Sequence, residues 1–294
     1  MIIYIIYMLL DNIYIINLDK SKDRLDNITK YFNKYQLKFN RFSAVYGKEL
    51  DGETLEEKSS FLCRIFLCNH GIIGCALSHI RLWEKLASDF NTDYYIIMED
   101  DITFGDNFKP VINEIDSIKN KLDFDILSLH CGGIEINCYQ YQYIYELSNN
   151  VIIGRSIYPL TTASYIISKK GAIKLLSLFK KINYHVDFEI ARNIFQNNIN
   201  YMTLNKNLIV TNMELDTTIG SINNKSIIMN LLTIFNLKKV KWILNLPVFT
   251  IFMKYIVTVY ALILLSLLVI NVLWLNNLII YILIITELIL YLLI

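Results

Sequence analysis

The sequence predicts an α/β protein with a mostly parallel sheet, followed by a C-terminal transmembrane helical hairpin. Three observations carry that expectation. Short apolar runs of strand length alternate with helix-spaced segments through most of the chain, the pattern of βαβ units. One strand-like run, YYIIMEDDITF (Tyr94–Phe104), ends in three adjacent carboxylates, Glu99, Asp100 and Asp101. Residues 255–294 carry a single charge, Glu287.

The elements follow in order. Ile13 to Leu18 reads as a buried strand running into a polar loop at Asp19, and Leu25, Ile28, Tyr31, Phe32 and Tyr35 then recur at helical spacing. FNRFSAVYGKEL suggests a second strand closing at Gly47; residues 51–69 read as a loop or short helix. GCALSHIRLWEKLAS places Ala76, Ile80, Trp83 and Leu86 on one helical face. YYIIMED is the third strand, followed by a helix near Phe108–Lys121 and a strand at Phe124–His130. Tyr139–Leu147 alternates as a tyrosine-rich hairpin arm. Ser164–Ile167 and Gly171–Phe179 form a strand and a helix, and HVDFEIARNIF opens another helix.

The 294 residues hold 28 Lys and Arg against 27 Asp and Glu, a net charge of +1, which excludes the global basic field of nucleic-acid binders. The apolar excess lies at the ends. MIIYIIYMLL is too short for a span and lacks the basic start of a signal peptide, so residues 1–11 read as an apolar extension. Residues 12–230 read as the main α/β domain and 231–254 as a basic amphipathic linker. Residues 255–294 are long enough for two crossings of about 20 residues each, although Glu287 weakens the second. Lys238, Lys239, Lys241 and Lys254 beside that run would hold the large domain on the cytoplasmic side. The five cysteines form no CxxC pair and read as free thiols.

Three like charges in a row repel one another, and burying them without partners is costly. Water or a cation resolves this. In open α/β sheets ligands bind beyond the carboxyl ends of strands, and hard oxygen ligands there suit Mg²⁺ or Mn²⁺ bridging to phosphates. Strand alternation would put Glu99 and Asp101 on one side and Asp100 on the other. Taken alone, the triplet is more often a solvated acidic turn.

Six ordered blocks sharpen the reading: INLDKSKDR, RFSAVYGKEL, GIIGCALSHIRLWEKL, YYIIMEDDITF, TTASYIISKKGAIKLL and HVDFEI. Together, over roughly Asn12 to Met213, they resemble glycosyltransferase family 25, the lipooligosaccharide-biosynthesis galactosyltransferase group that includes collagen galactosyltransferases. The resemblance implies a GT-A-like nucleotide-sugar-binding fold, a UDP-sugar donor, a divalent metal (Mn²⁺ or Mg²⁺) at the acidic cluster, and inversion at the anomeric carbon. Ile72, where relatives often carry Glu, and His185, preceding Val186–Asp187 where Pro is common, depart from the pattern.

By this resemblance Glu99, Asp100 and Asp101 match the DxD-type metal and diphosphate site, and Asn17, Leu18, Asp19 and Arg24 the first-strand loop beside the nucleotide. Arg24 equally suits a surface helix position. Ser78 and His79 lie near a helix start; His79 would bond a phosphate or sugar hydroxyl, or else backbone in the core. Cys75 and Trp83 read as packing. Inversion needs a base for the acceptor hydroxyl, and Asp187 and Glu189 are the candidates, with His185 as a hydrogen-bonding helper. Asp187 is preferred, although Asp before an apolar-periodic run is also a common helix cap. The expected function is transfer of a hexose, galactose foremost, to a lipooligosaccharide, LPS or other surface glycan at the cytoplasmic face of the membrane. The rivals are a metal-dependent phosphohydrolase and a catalytically silent nucleotide-sugar binder.

Overall fold

The computed structural model describes residues 8–130, 140–156, 161–211, 226–235, 237, 240, 244, 247–251, 255–275 and 277–292. The expectations resting on residues 1–7, Cys131, Cys138, Tyr139 and the lysines at 238, 239, 241 and 254 lie outside them.

Over residues 8–211 the strands are β1 (Ile13–Asn17), β2 (Asn40–Ser43), β3 (Tyr94–Glu99), β4 (Ile102–Phe104), β5 (Ile126–Ser128), β6 (Gln142–Leu147), β7 (Val151–Arg155), β8 (Ser164–Ser168), β9 (Tyr201–Leu204) and β10 (Ile209–Thr211). All but β4 and β10, which pair with each other, form one eight-stranded sheet in the order β2-β1-β3-β8-β5-β9-β7-β6. Helices α1 (Lys22–Lys34) and α4 (Phe108–Ile118) cover one face; α3 (His70–Ser88), α5 (Lys169–Leu178) and α6 (Val186–Phe195) cover the other. The short α2 (Gly52–Lys58) precedes α3.

Strand alternation explains the three layers. In β3, Ile96 and Met98 join the core under α1 and α4, while Tyr95 and Ile97 join the core under α3 and α5. Strands buried on both faces need apolar residues at nearly every position, which is why YYIIM reads as a continuous run.

The expected mostly parallel sheet is not what forms. β1 runs parallel to β2 and β3, and β5 to β9. β8 is antiparallel to both β3 and β5, and β7 to both β9 and β6. The sheet is mixed. A doubly buried strand has the same apolar composition in either direction; the connection decides its direction. The reversal of β8 matters for the site, because it brings the residues entering β8 to the carboxyl end of β3: Glu99 N–H donates to Ala163 O at 2.9 Å.

The C-terminal transmembrane hairpin is also overturned. Among the described residues no helix is long and apolar enough to cross a membrane. Residues 255–258 form a strand, β12, antiparallel to β11 (Pro247–Ile251). The rest divides into α8 (Val259–Ile270), a π-helical turn that continues it (Asn271–Leu275), and α9 (Leu278–Leu292); the two α-helices are roughly 18 and 22 Å long at 1.5 Å per residue, against a hydrocarbon core of about 30 Å. Polar residues set the breaks. Thr258 accepts from Ala261 N–H at 3.3 Å, capping α8, and Asn277 accepts from the N–H groups of Ile279 and Ile280 at the start of α9. Counting apolar residues does not reveal these caps. Glu287 is buried and saturated: it accepts from the Ser226 and Tyr260 hydroxyls and from the N–H groups of Ile227 and Ile228, which open α7 (Ile227–Ile234).

The free-thiol expectation needs one correction. Cys63 and Cys68 form a disulfide, their Cα atoms 4.8 Å apart across a single π-helical turn. Wound helically, five residues' separation becomes a bondable distance. Cys75 is free.

Candidate active site

Beyond the carboxyl ends of β1 and β3 lies a cavity of about 850 Å³. The segment 44–47 and the start of α3 frame one side. That packing depends on small residues: a Cβ on Gly47 would fall 1.6 Å from His70 O, and one on Gly74 would fall 2.6 Å from Val45 O. Ser78, one turn further along α3, accepts from Val45 N–H at 2.9 Å and donates to Gly74 O at 2.8 Å. Its role is to fasten that wall.

The acidic triplet divides in two. The strand ends at Glu99, and Asp100 and Asp101 form a turn, so strand alternation does not extend to them. Arg24 Nη2 lies 2.8 Å from Asp100 Oδ1 and 3.0 Å from Asp101 Oδ2. Asn17, 1% exposed, donates to Asp100 Oδ2 at 2.6 Å, and its own Oδ1 accepts from Arg41 Nε at 3.0 Å. Burial raises the Asp100 pKa; Arg24 and Asn17 oppose that rise without cancelling it. Asp101 Oδ1 is buried with no hydrogen-bond partner.

Glu99 faces the other way. Its Oε1 lies 3.3 Å from the Thr162 hydroxyl and 3.9 Å from His79 Nε2. Burial, with the charges of Asp101 and Asp187, pushes its pKa up to about 8. Thr162 also donates to Asp187 Oδ1 at 2.7 Å, and His185 Nδ1 lies 3.3 Å from Asp187 Oδ2. Burial pushes the Asp187 carboxyl up, but His185 and Thr162 more than offset this, and it ends below its ordinary value. His185, which burial would lower, is raised by Asp187.

Arg24, Leu18, Ser78, His79, Glu99, Asp100, Asp101 and Asp187 all line this cavity. Three sequence candidates do not. Asn17 is buried beside it and reaches it only through Asp100. Asp19 is exposed, bonded to Arg41 and Ser43 outside it. Glu189 is buried at 1% exposure and paired with Arg192. Two residues along a helix turn the side chain by about 200°, so Asp187 and Glu189 cannot share a face. The helix-cap alternative for Asp187 also falls away, since His185 occupies that position and Asp187 lies in the first turn. Thr162 escaped sequence reasoning, because only the reversal of β8 brings it beside Glu99. Tyr165 escaped it too, looking like one more buried strand residue.

The donor set bears on a divalent cation. Among the described residues no group of three or more His, Cys, Asp or Glu side chains converges as a cage. A Mg²⁺ or Mn²⁺ ion commonly uses one or two carboxylates plus substrate phosphates and water. Asp100 and Asp101, with the partnerless Asp101 Oδ1, fit that smaller requirement.

The sequence model of glycosyltransferase family 25 (LPS biosynthesis protein) matches residues 10–190. A candidate glycosyltransferase of Haemophilus influenzae is 32% identical over 195 residues, 64% of each chain. A glycosyltransferase 25 family member of Drosophila pseudoobscura is 28% identical over 176 residues, 57% of this chain and 27% of its own. Procollagen galactosyltransferase 1-B of Xenopus laevis is 28% identical over 179 residues, 58% of this chain and 28% of its own. Each match thus spans less than two thirds of the relative.

Proposed function

Because the chain belongs to glycosyltransferase family 25, we propose that this cavity transfers a hexose from a UDP-sugar to a glycan hydroxyl, with inversion. The observation that carries the reading is Asp187: a carboxyl held ionised by His185 and Thr162, on the wall of a cavity that Arg24, Asp100 and Asp101 also line. Galactose is the first hexose to test, since one relative is named a procollagen galactosyltransferase. A lipopolysaccharide-type glycan is the first acceptor, from the family's description.

In the proposed reaction the acceptor oxygen forms a bond to the anomeric carbon and gives its proton to an Asp187 oxygen. The bond from that carbon to the diphosphate oxygen breaks, and its electron pair leaves with UDP. Asp187 suits the base role because it is ionised near neutrality and oriented by two partners. Arg24 holds Asp100 and Asp101 in place at the diphosphate end. A divalent cation held by Asp100 and Asp101 would neutralise charge developing on the leaving diphosphate. Asn17 orients Asp100 and leaves its Oδ1 to Arg24.

The test is UDP release from a panel of UDP-sugars, with Mn²⁺ or with EDTA. The expected outcome is acceptor-dependent UDP release from one UDP-hexose, lost in EDTA. Inorganic phosphate without glycoside would favour a phosphohydrolase; binding without release would favour a silent binder.

A further inference from the structure

Behind the cavity wall a three-residue chain ends on His79. Trp83 Nε1–H, a donor only, donates to Tyr165 Oη at 2.9 Å. Tyr165 Oη lies 2.8 Å from His79 Nδ1. With Trp83 occupying one lone pair, the tyrosine hydrogen is satisfied only if Nδ1 accepts it; the other tautomer would bury that hydroxyl hydrogen unbonded. His79 therefore carries its hydrogen on Nε2. All three side chains are at most 2% exposed. Burial lowers the His79 pKa to about 4 and raises that of Tyr165 well above its usual value, so both are neutral, as the chain requires.

Nε2 is the unsatisfied end. It is buried, has no hydrogen-bond partner, lines the cavity, and stands 3.9 Å from Glu99 Oε1. That gap is too long for a direct bond and suits one oxygen between them. The occupant must accept from Nε2–H and also bond the Glu99 carboxyl. A hydroxyl can do both whether that carboxyl is ionised or protonated, because it donates to the one and accepts from the other.

Resting on the transferase reading, we propose that His79 and Glu99 together read one hydroxyl of a bound sugar, and that Trp83 and Tyr165 are positioning residues fixing the His79 tautomer for it. The hydroxyl belongs to the hexose of the donor or to the acceptor glycan, and the chemistry is the same for both.

Two measurements test this. The first is the ¹⁵N–¹H long-range NMR pattern of His79 in the wild-type chain and in Tyr165→Phe. The expected result is a neutral Nε2–H imidazole that becomes a tautomer mixture in the variant. A wild-type Nδ1–H pattern overturns the proposal, and this readout needs no turnover, so it stands apart from the transferase reading.

The second compares His79→Gln, His79→Asn and Tyr165→Phe. UDP-galactose and its monodeoxy analogues are followed by transfer to methyl β-lactoside, and the monodeoxy analogues of methyl β-lactoside by transfer from UDP-galactose. The Gln amide reaches the Nε2 position, whereas that of Asn does not, so Gln should rescue. Loss of the contact should lower kcat/KM by about 10- to 100-fold, for the full sugar and not for the analogue lacking the hydroxyl that is read. The donor or acceptor series in which this penalty vanishes identifies the sugar. An equal penalty on every analogue, or Asn and Gln behaving alike, overturns the proposal. If Tyr165→Phe does not fold, the wild-type spectrum and the Gln/Asn pair still decide.

Discussion

Thr162 donates its hydroxyl hydrogen to Asp187 Oδ1 across 2.7 Å, joining the entrance of an antiparallel strand to the first turn of a helix. The Thr162 hydroxyl oxygen also lies 3.3 Å from Glu99 Oε1. One small side chain thus ties the proposed base to the carboxyl end of the central strand, and it does so only because β8 runs against β3.

Thr162→Val removes that hydrogen bond and keeps the shape. The bond favours the ionised form of Asp187, so its loss raises the Asp187 pKa toward the ordinary carboxylate value. The acidic limb of kcat/KM against pH should therefore move to higher pH, with a loss of about tenfold on that limb. A pH–rate profile for UDP release checks this.

Arg24→Ala leaves Asp100 and Asp101 without their shared cation in a mostly buried setting. Breaking such a pair costs about 3–5 kcal/mol. Asp100 already has a raised pKa, and losing Arg24 raises it further. The variant's deficit should therefore be full above that raised value and ease as pH falls through it and Asp100 protonates. Urea denaturation across pH 4–8 measures both effects (a flat deficit would contradict the account).

Gly74→Ala drives a methyl into the backbone at Val45 and Gly47, 2.6–2.7 Å away. Overpacking of this kind costs about 1–3 kcal/mol, and here it also displaces a cavity wall, so UDP affinity should fall along with the melting temperature. Gly52→Ala is the contrast. A Cβ there meets nothing within 4 Å, and both stability and UDP affinity should stay near wild type by thermal melt and calorimetry.

Glu287→Ala strands two hydroxyls and two N–H groups. The loss should be at least about 2 kcal/mol, read as faster hydrogen exchange over residues 226–235. Burial raises the Glu287 pKa, but the Ser226 and Tyr260 hydroxyls and the N–H groups outweigh it, so the pKa is lowered. The wild-type protection should be present above the unfolded glutamate value and fade as pH falls through the lower folded value.

Much of the site was legible in the chain. Apolar runs located the buried strands, and three carboxylates at the end of one of them marked the end of the sheet where the cavity lies. The helix period even held the choice between Asp187 and Glu189, because side chains two residues apart face opposite ways. What escaped depends on partners distant in sequence. The direction of β8, and with it the position of Thr162, is set by a connection and not by composition. Tyr165 matters through its hydroxyl, which nothing in SYIIS announces. The apolar C-terminus looked like a membrane span because hydropathy averages over Thr258, Asn271 and Asn277, the residues at which the helices start and stop.

The most direct test of the central claim is the sugar-transfer rate of Asp187→Asn at saturating UDP-hexose, with UDP affinity measured alongside. Removing a positioned general base typically costs about 10²- to 10⁴-fold. The account predicts a loss in that range with UDP still bound. Transfer at the wild-type rate by the folded variant would contradict it.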